Sequence, residues 1–302
     1  MKADLYKLDG KKAGIINLPK QFSEKVRSDV IRKVNEIIMS NSRQRFGSYL
    51  GAGIRQAVDI SRRRRRFKTA YGKGMARVPR KTIWRRGSQF GWVAAFSPSV
   101  VGGRRAHPPK ASRDYTRKIN KTENRLAIRS AISSTIIPEL VRARGHRFTD
   151  LVSVIEGKAE SIAKTKAVME LLQRLNLQKE IERVAERKVR AGKGKMRNRK
   201  YKTKKGPLFV VSKNCALSKS ASNIQGVEVC EVRNLNVHIL APGGTPGRLT
   251  IFTEEAIKKM ETEGLFLKNT KPVAKQQEKK APEAKAPVKV MVKKKEVKKV
   301  SK

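Results

Sequence analysis

The sequence is poor in what a catalyst or a secreted protein needs. It has two cysteines, Cys215 and Cys230. They form no CxxC pair and cannot build a disulfide framework, so a reducing, cytosolic compartment is expected, with each thiol a small buried hydrophobe. The three histidines, His107, His146 and His238, have no second His or Cys at ligand spacing, so no metal site is expected. GGTPGR at 243–248 is not followed directly by a helix, so it is no dinucleotide fingerprint. GAG at 51–53 and GKG at 72–74 lack the rest of a phosphate loop. There is no GxSxG elbow and no paired carboxylates of the kind that hold Mg²⁺ in a nuclease. Asp59 and Asp150 are lone acids, read as cap or surface residues. No enzyme and no cofactor are therefore expected. Long apolar runs are missing too: no window approaches the roughly 18 residues of a membrane span. MKADLYKLDGKK at the start lacks the apolar stretch of a secretory signal.

Acid is the scarcest commodity. Against 25 Asp and Glu stand 72 Lys and Arg, a net charge of +47 over 302 residues. Such a surface repels itself unless a polyanion neutralises it. The excess falls in three stretches. Residues 43–110 hold 18 Lys or Arg and one acid, Asp59. Residues 187–206 hold 11 and no acid, and residues 268–302 hold 13 Lys with three Glu. The last stretch is Lys, Ala, Pro and Val, too apolar-poor to offset its ordering entropy, and is expected to be disordered.

Residues 43–110 differ in kind from that tail. They carry Phe46, Tyr49, Phe67, Tyr71, Trp84, Phe90, Trp92 and Phe96, half of the 16 aromatics. Glycines are frequent, and helical or strand periodicity is almost absent. A long irregular segment needs partners for its backbone polar groups. RNA supplies them: Lys and Arg neutralise phosphates, while rings and guanidinium planes stack on unpaired bases. The run Arg62, Arg63, Arg64, Arg65 and Arg66 needs anions around it to be ordered. A flexible basic linker or localisation signal would not need the interleaved rings.

The remainder alternates between periods. Residues 24–39 predict a helix capped by Ser23, residues 122–136 another, and PELVRAR from Pro138 a short third. LVSVI at 151–155 predicts a strand, followed by helices at 165–175 and 178–190. Strands are expected at 208–212, 227–232, 237–240 and 249–252, then a helix at 254–263 ended by Gly264. That order implies an α/β fold, a mostly parallel sheet covered by helices. The expected domain is 1–266, interrupted by the extended segment 43–110, with 267–302 as the disordered basic tail.

Several long blocks make the sequence resemble a known family. They are GKGMARVPR at 72–80, GGRRAHPPK at 102–110, KINKTENRLAIRSAI at 118–132, GKGKMRNRKYKTKKGPLFVVS at 192–212 and LNVHILAPGGTPGRLTIFTEEAI at 235–257. Over about residues 1–266 the chain resembles the family of the universal fourth protein of the large ribosomal subunit, in its archaeal and eukaryotic form. The resemblance implies a globular α/β domain and a long loop threaded into ribosomal RNA, its tip lining the nascent-peptide exit tunnel. It also implies early entry into subunit assembly. Expected RNA-binding residues are Arg62 to Arg66, Lys68, Arg80, Lys81, Trp84, Arg85 and Arg86 in the loop. Arg104, Arg105, His107 and Lys110 follow where it returns. Lys193, Lys195, Arg197, Arg199, Lys200 and Lys202 form a second surface. The tip is expected at Gly72, Lys73, Gly74, Met75, Ala76 and Arg77. Relatives carry a longer stretch, GTGRxxARVPR, where this chain has GKGMARVPR, and the Lys-rich end lies outside the archaeal pattern.

The expected partners are large-subunit ribosomal RNA, neighbouring ribosomal proteins and the nascent polypeptide, in the cytoplasm, with no membrane and no homo-oligomer. The alternative is a general nucleic-acid-compacting protein, for which the Lys tail alone would suffice. It gives the aromatic segment no task, because duplex DNA hides its base faces. An RNA-processing enzyme on an α/β scaffold would require turnover that a single Asp, Glu or His substitution abolishes.

Overall fold

The structure is a computed structural model that describes residues 1–267; the tail expected to be disordered lies outside the described residues. The chain divides into two units. One is Met1–Asn35 together with the chain from Asn120 on; the other is Glu36–Ile119.

In chain order the elements are β1 (Lys2–Tyr6), β2 (Lys12–Asn17), α1 (Ser28–Asn41), β3 (Arg80–Arg86), β4 (Gln89–Ala94), α2 (Lys121–Ser134) and α3 (Pro138–Ala143). There follow β5 (Val154–Ile155), α4 (Thr165–Arg174), α5 (Gln178–Ala185), β6 (Lys188–Val189), β7 (Tyr201–Lys202) and β8 (Leu208–Val211). The last are α6 (Ala216–Ser222), β9 (Glu228–Glu231), α7 (Val237–Leu240), β10 (Thr250–Thr253) and α8 (Glu254–Thr262).

The first unit is built on a sheet in the order β2-β1-β5-β10-β8-β9. The β1–β2 pair is antiparallel; every other neighbouring pair is parallel. Central strands of such a sheet are covered on both faces and read as continuous apolar runs. β8 (LFVV) and β10 (TIFT) are buried at every position. Phe209, Val211 and Ile251 join Leu171 and Leu172 of α4 and Leu217 of α6 in one core cluster. Phe252 meets Phe22 edge-on, with ring centroids 5.2 Å apart. Each such side chain contributes roughly 1.5–3 kcal/mol by leaving water.

The expected α/β class and mostly parallel sheet are present, with several corrections in detail. The first helix starts at Ser28, not after Ser23: Arg27 N donates to Ser130 Oγ at 2.6 Å, and that hydroxyl donates to Lys25 O, so residues 25–27 are held outside the helix. The β1–β2 hairpin was not expected, because β2 is largely exposed and carries no apolar alternation. The segment 237–240 is a helical turn, not a strand. Asn236 caps it by accepting from Ile239 N at 2.9 Å, and Val237 and Leu240 are the buried pair at helical spacing. The helix expected over 178–190 stops at Ala185, and the basic run that follows folds into the β6–β7 hairpin. In the 151–155 strand only Val154 and Ile155 join the ladder.

Three buried polar clusters tie this unit together. Arg248, 0% exposed, donates through Nη1 to Glu228 at 2.7 Å and to Ile239 O at 2.8 Å, and through Nε to Gly206 O at 3.1 Å. GGTPGR is thus a turn that delivers an arginine into the core. Gly247 has φ +92°, and a Cβ there would stand 2.6 Å from Leu140 O, so no other residue fits. Glu180 accepts from Arg183 Nε (2.8 Å) and Nη2 (2.7 Å) and from Arg147 N (2.9 Å), with His146 Nδ1 at 2.6 Å. Burial alone pushes the Glu180 carboxyl up, but the hydrogen bonds from Arg183, His146 and Arg147 outweigh it and hold it at about 2. Beyond the carboxyl ends of β8 and β10, buried Glu160 accepts from Ser212 N (2.8 Å), Ser212 Oγ (2.7 Å) and Thr253 Oγ1 (2.6 Å).

Candidate nucleic-acid interface

The second unit is not wholly irregular, as its lack of periodicity predicts. β3 (RKTIWRR) and β4 (QFGWVA) pair as an antiparallel hairpin with a bulge between Thr82 and Trp84. Its β-branched and aromatic residues favour strands, and Gly87 supplies the left-handed turn residue, φ +57°. Alternation fails as a signal here because β3 is exposed over most of its length and buries no apolar face.

On this frame cations and rings are interleaved. Arg43 lies over Phe46 and Tyr115, 4.9 and 4.6 Å from the centroids, and those two rings stack in parallel. Arg55 sits 4.0 Å from the Tyr49 centroid. Arg64 and Arg77 both lie over Tyr71, at 5.5 and 5.1 Å. Phe67, Phe90 and Trp92 form a chain of rings 5.3 Å apart, flanked by Lys68, Arg80 and Arg85. Such contacts contribute about 0.5–1 kcal/mol each when exposed. Trp84 is 55% exposed and Phe67 57%.

Arg62 to Arg66, Trp84, Arg85, Arg86, Arg105, His107 and Lys110 are exposed; Lys68, Arg80, Lys81 and Arg104 are half-buried. Arg65 and Lys68 have left-handed backbones, φ +56° and +58°, a cost of roughly 1 kcal/mol each of the sort that gathers at functional positions. Gly72 and Gly74 are also left-handed, with open space where a Cβ would be.

The other basic stretch is in the first unit. Lys188 and Val189 pair with Lys202 and Tyr201, and Arg190 N donates to Lys200 O at 2.8 Å. Between these strands a turn of 3₁₀ helix spans Gly192–Arg197, and Arg199 N donates to Gly194 O. Lys193, Lys195, Arg197, Arg199, Lys200 and Lys202 are all exposed. They form a cationic ridge with Tyr201 beside Lys200.

Residue type does not single out Thr82, Arg113 and Tyr115, and it reads Asp59 only as a cap or surface acid. Asp59 exchanges backbone hydrogen bonds with Arg80 (3.0 and 3.1 Å), which pins the base of the hairpin. Its being the sole acid in a long cationic stretch was the available signal. Both cysteines are free and half-buried rather than fully buried. Burial, with Glu231 and Glu228 nearby, pushes the Cys230 thiol up to about 11. Among the described residues, no group of His, Cys, Asp or Glu could hold a metal ion, and no helix is long and apolar enough to cross a membrane.

A model of the ribosomal protein L4/L1 family matches residues 16–263, most of the chain and both basic surfaces. The chain belongs to that family. Similar proteins include the large ribosomal subunit protein uL4 of Nanoarchaeum equitans, 46% identical over 88% of this chain and 100% of the relative. The protein of the same name from Methanococcoides burtonii is 44% identical over 88% of this chain and 99% of the relative. That of Archaeoglobus fulgidus is 41% identical over 85% and 97%. These relatives are named as ribosomal proteins, not as enzymes, and the resemblance drawn from the five sequence blocks is to the same family.

Proposed function

We propose that the chain is a structural constituent of the large subunit of the cytoplasmic ribosome. It binds large-subunit ribosomal RNA and neighbouring ribosomal proteins, and it joins the subunit early in assembly. The observation that carries this is the cation–ring lattice of residues 43–115, where guanidinium groups lie over the exposed rings of Phe46 and Tyr49 and the half-buried rings of Tyr71 and Trp92. Planar cations and rings on an open surface match unpaired bases joined by phosphates.

In this reading 1–266 is one α/β domain interrupted by 43–110 as the RNA-binding loop, with 267–302 a basic tether. Arg62 to Arg66, Lys68, Arg80, Lys81, Trp84, Arg85 and Arg86 contact RNA, as do Arg104, Arg105, His107 and Lys110. Lys193, Lys195, Arg197, Arg199, Lys200 and Lys202 make a second contact. Gly72 to Arg77 form the tip that lines the exit tunnel, beside the nascent polypeptide. The mechanism is passive: Arg and Lys screen phosphate repulsion where RNA segments converge, which favours the compact RNA fold.

The test is sedimentation of cell lysate through sucrose at low and high salt, probing for this chain. Co-migration with the large subunit that survives a high-salt wash is expected. Migration at the top of the gradient, or release at modest salt, would overturn the reading. A preference for duplex DNA over structured RNA at fixed salt would favour a nucleic-acid compactor instead.

A further inference from the structure

We propose that a cleft in the second unit, beside the β3–β4 hairpin, receives a single unpaired guanine nucleotide of RNA. The proposal rests on the RNA-binding reading above and narrows it to one pocket. The cleft has a volume of about 370 Å³ and is lined by Asp59, Lys68, Arg80, Thr82 and Trp92, among others. That volume falls in the range of small-molecule sites.

Each of these side chains has capacity to spare. Lys68 Nζ donates to Thr82 Oγ1 at 2.9 Å, which leaves the ammonium further donors. Arg80 Nη2 donates to Ala76 O at 2.9 Å, while its buried Nε–H makes no hydrogen bond within the chain. A buried donor of this kind costs free energy until it is paired. The Lys68 ammonium and the Arg80 guanidinium supply the positive charge for a phosphate. The Arg80 guanidinium lies 5.5 Å from the centroid of the half-buried Trp92 ring, which sets a cation and an aromatic surface beside each other for a base. Lys68 also has a left-handed backbone, φ +58°.

Asp59 decides which base. A carboxylate presents two acceptors side by side and no donor. Guanine alone among the four bases offers two adjacent donors, N1–H and the N2 amino group. Adenine and cytosine set a ring acceptor beside their amino group, and uracil flanks N3–H with two carbonyl oxygens, all of which repel a carboxylate. The plainer role, neutralising Arg66, is weak: that pair stands at 3.7 Å with both side chains half exposed. Within residues 43–110 no other acid could serve.

The experiment uses the full chain and short single-stranded oligouridylates with one central G, A, C or U, titrated by fluorescence anisotropy at fixed salt. The G oligomer should bind roughly tenfold tighter than the other three. Asp59→Asn should abolish that preference, because the amide cannot offer two acceptors and no longer repels the other three bases. Trp92→Ala should weaken all four. Asp59→Ala is the second variant, needed if the amide disturbs the backbone bridge to Arg80. Equal affinity for the four oligomers, or a G preference that survives both Asp59 variants, overturns the pocket. Large-subunit ribosomal RNA is titrated in parallel. If it binds while the oligomers are not distinguished, only the pocket fails; if it does not bind, the RNA-binding reading fails with it.

Discussion

A Cβ on Gly91 would stand 2.2 Å from Nε1 of Trp84, its partner across the β3–β4 hairpin. The indole therefore lies flat over a strand position that has no side chain. Trp84 is more than half exposed, so an added methyl would push the ring outward and not into a packed core. Gly91→Ala should change unfolding stability by no more than about 0.5 kcal/mol. It should shift the tryptophan emission and weaken RNA binding several-fold. Unchanged emission and unchanged affinity would show that the position of the Trp84 ring does not matter to binding.

Glu180 gives the first unit an acid limit. Its carboxyl sits at about 2, below an ordinary 4.5. A depressed carboxylate stabilises the fold fully above its unfolded value and loses that contribution as pH falls from about 4.5 through about 2. The contribution should be on the order of 3 kcal/mol. Glu180→Gln should cost about 3 kcal/mol at neutral pH by leaving Arg183 and Arg147 N underpaired. Denaturant titrations of both forms at neutral and acid pH check this: the gap should close on acidification.

Arg248 should be irreplaceable by an apolar residue of similar length. Burial lowers its pKa, opposed by Glu228. Arg248→Met strands the carbonyls of Gly206 and Ile239 and leaves Glu228 with Lys205. A loss of about 3–5 kcal/mol is expected in urea unfolding. A loss under about 1 kcal/mol would mean that the core re-packs around the gap.

The ridge at 192–202 should act through charge alone. Lys193→Gln with Lys195→Gln should weaken RNA binding uniformly across sequences. It should also lower the slope of log affinity against log salt by about 1 per lost phosphate contact. A changed sequence preference with an unchanged slope would assign this turn a base-reading role.

Removing residues 55–100 takes away β3, β4 and most of the cation–ring lattice, yet no strand of the six-stranded sheet. The shortened chain should still unfold cooperatively on heating and fail to enter large subunits. Non-cooperative unfolding would show that the segment supports the core.

Much of this was legible in the sequence, and the failures have physical causes. β8 announced itself because a strand buried on both faces is apolar throughout, and β10 because its β-branched and aromatic residues favour strands. The α7 turn did not, since four residues such as VHIL satisfy either period and only the Asn236 cap decides between them. The β3–β4 hairpin stayed hidden because a strand that faces solvent has no apolar pattern to display. Arg62 and Trp84 could be picked by residue type. Asp59 stands out only as the sole acid of its stretch; its role depends on a backbone bridge to Arg80, which only the fold creates.

The position of Glu160 has a consequence for control. In α/β sheets the carboxyl ends of the strands are where small ligands settle. Here that rim is laced shut: one carboxylate is bound to the Ser212 amide, the Ser212 hydroxyl and the Thr253 hydroxyl. A metabolite arriving there would have to undo three hydrogen bonds before finding a seat. The carboxylate at this rim is a brace between the ends of β8 and β10.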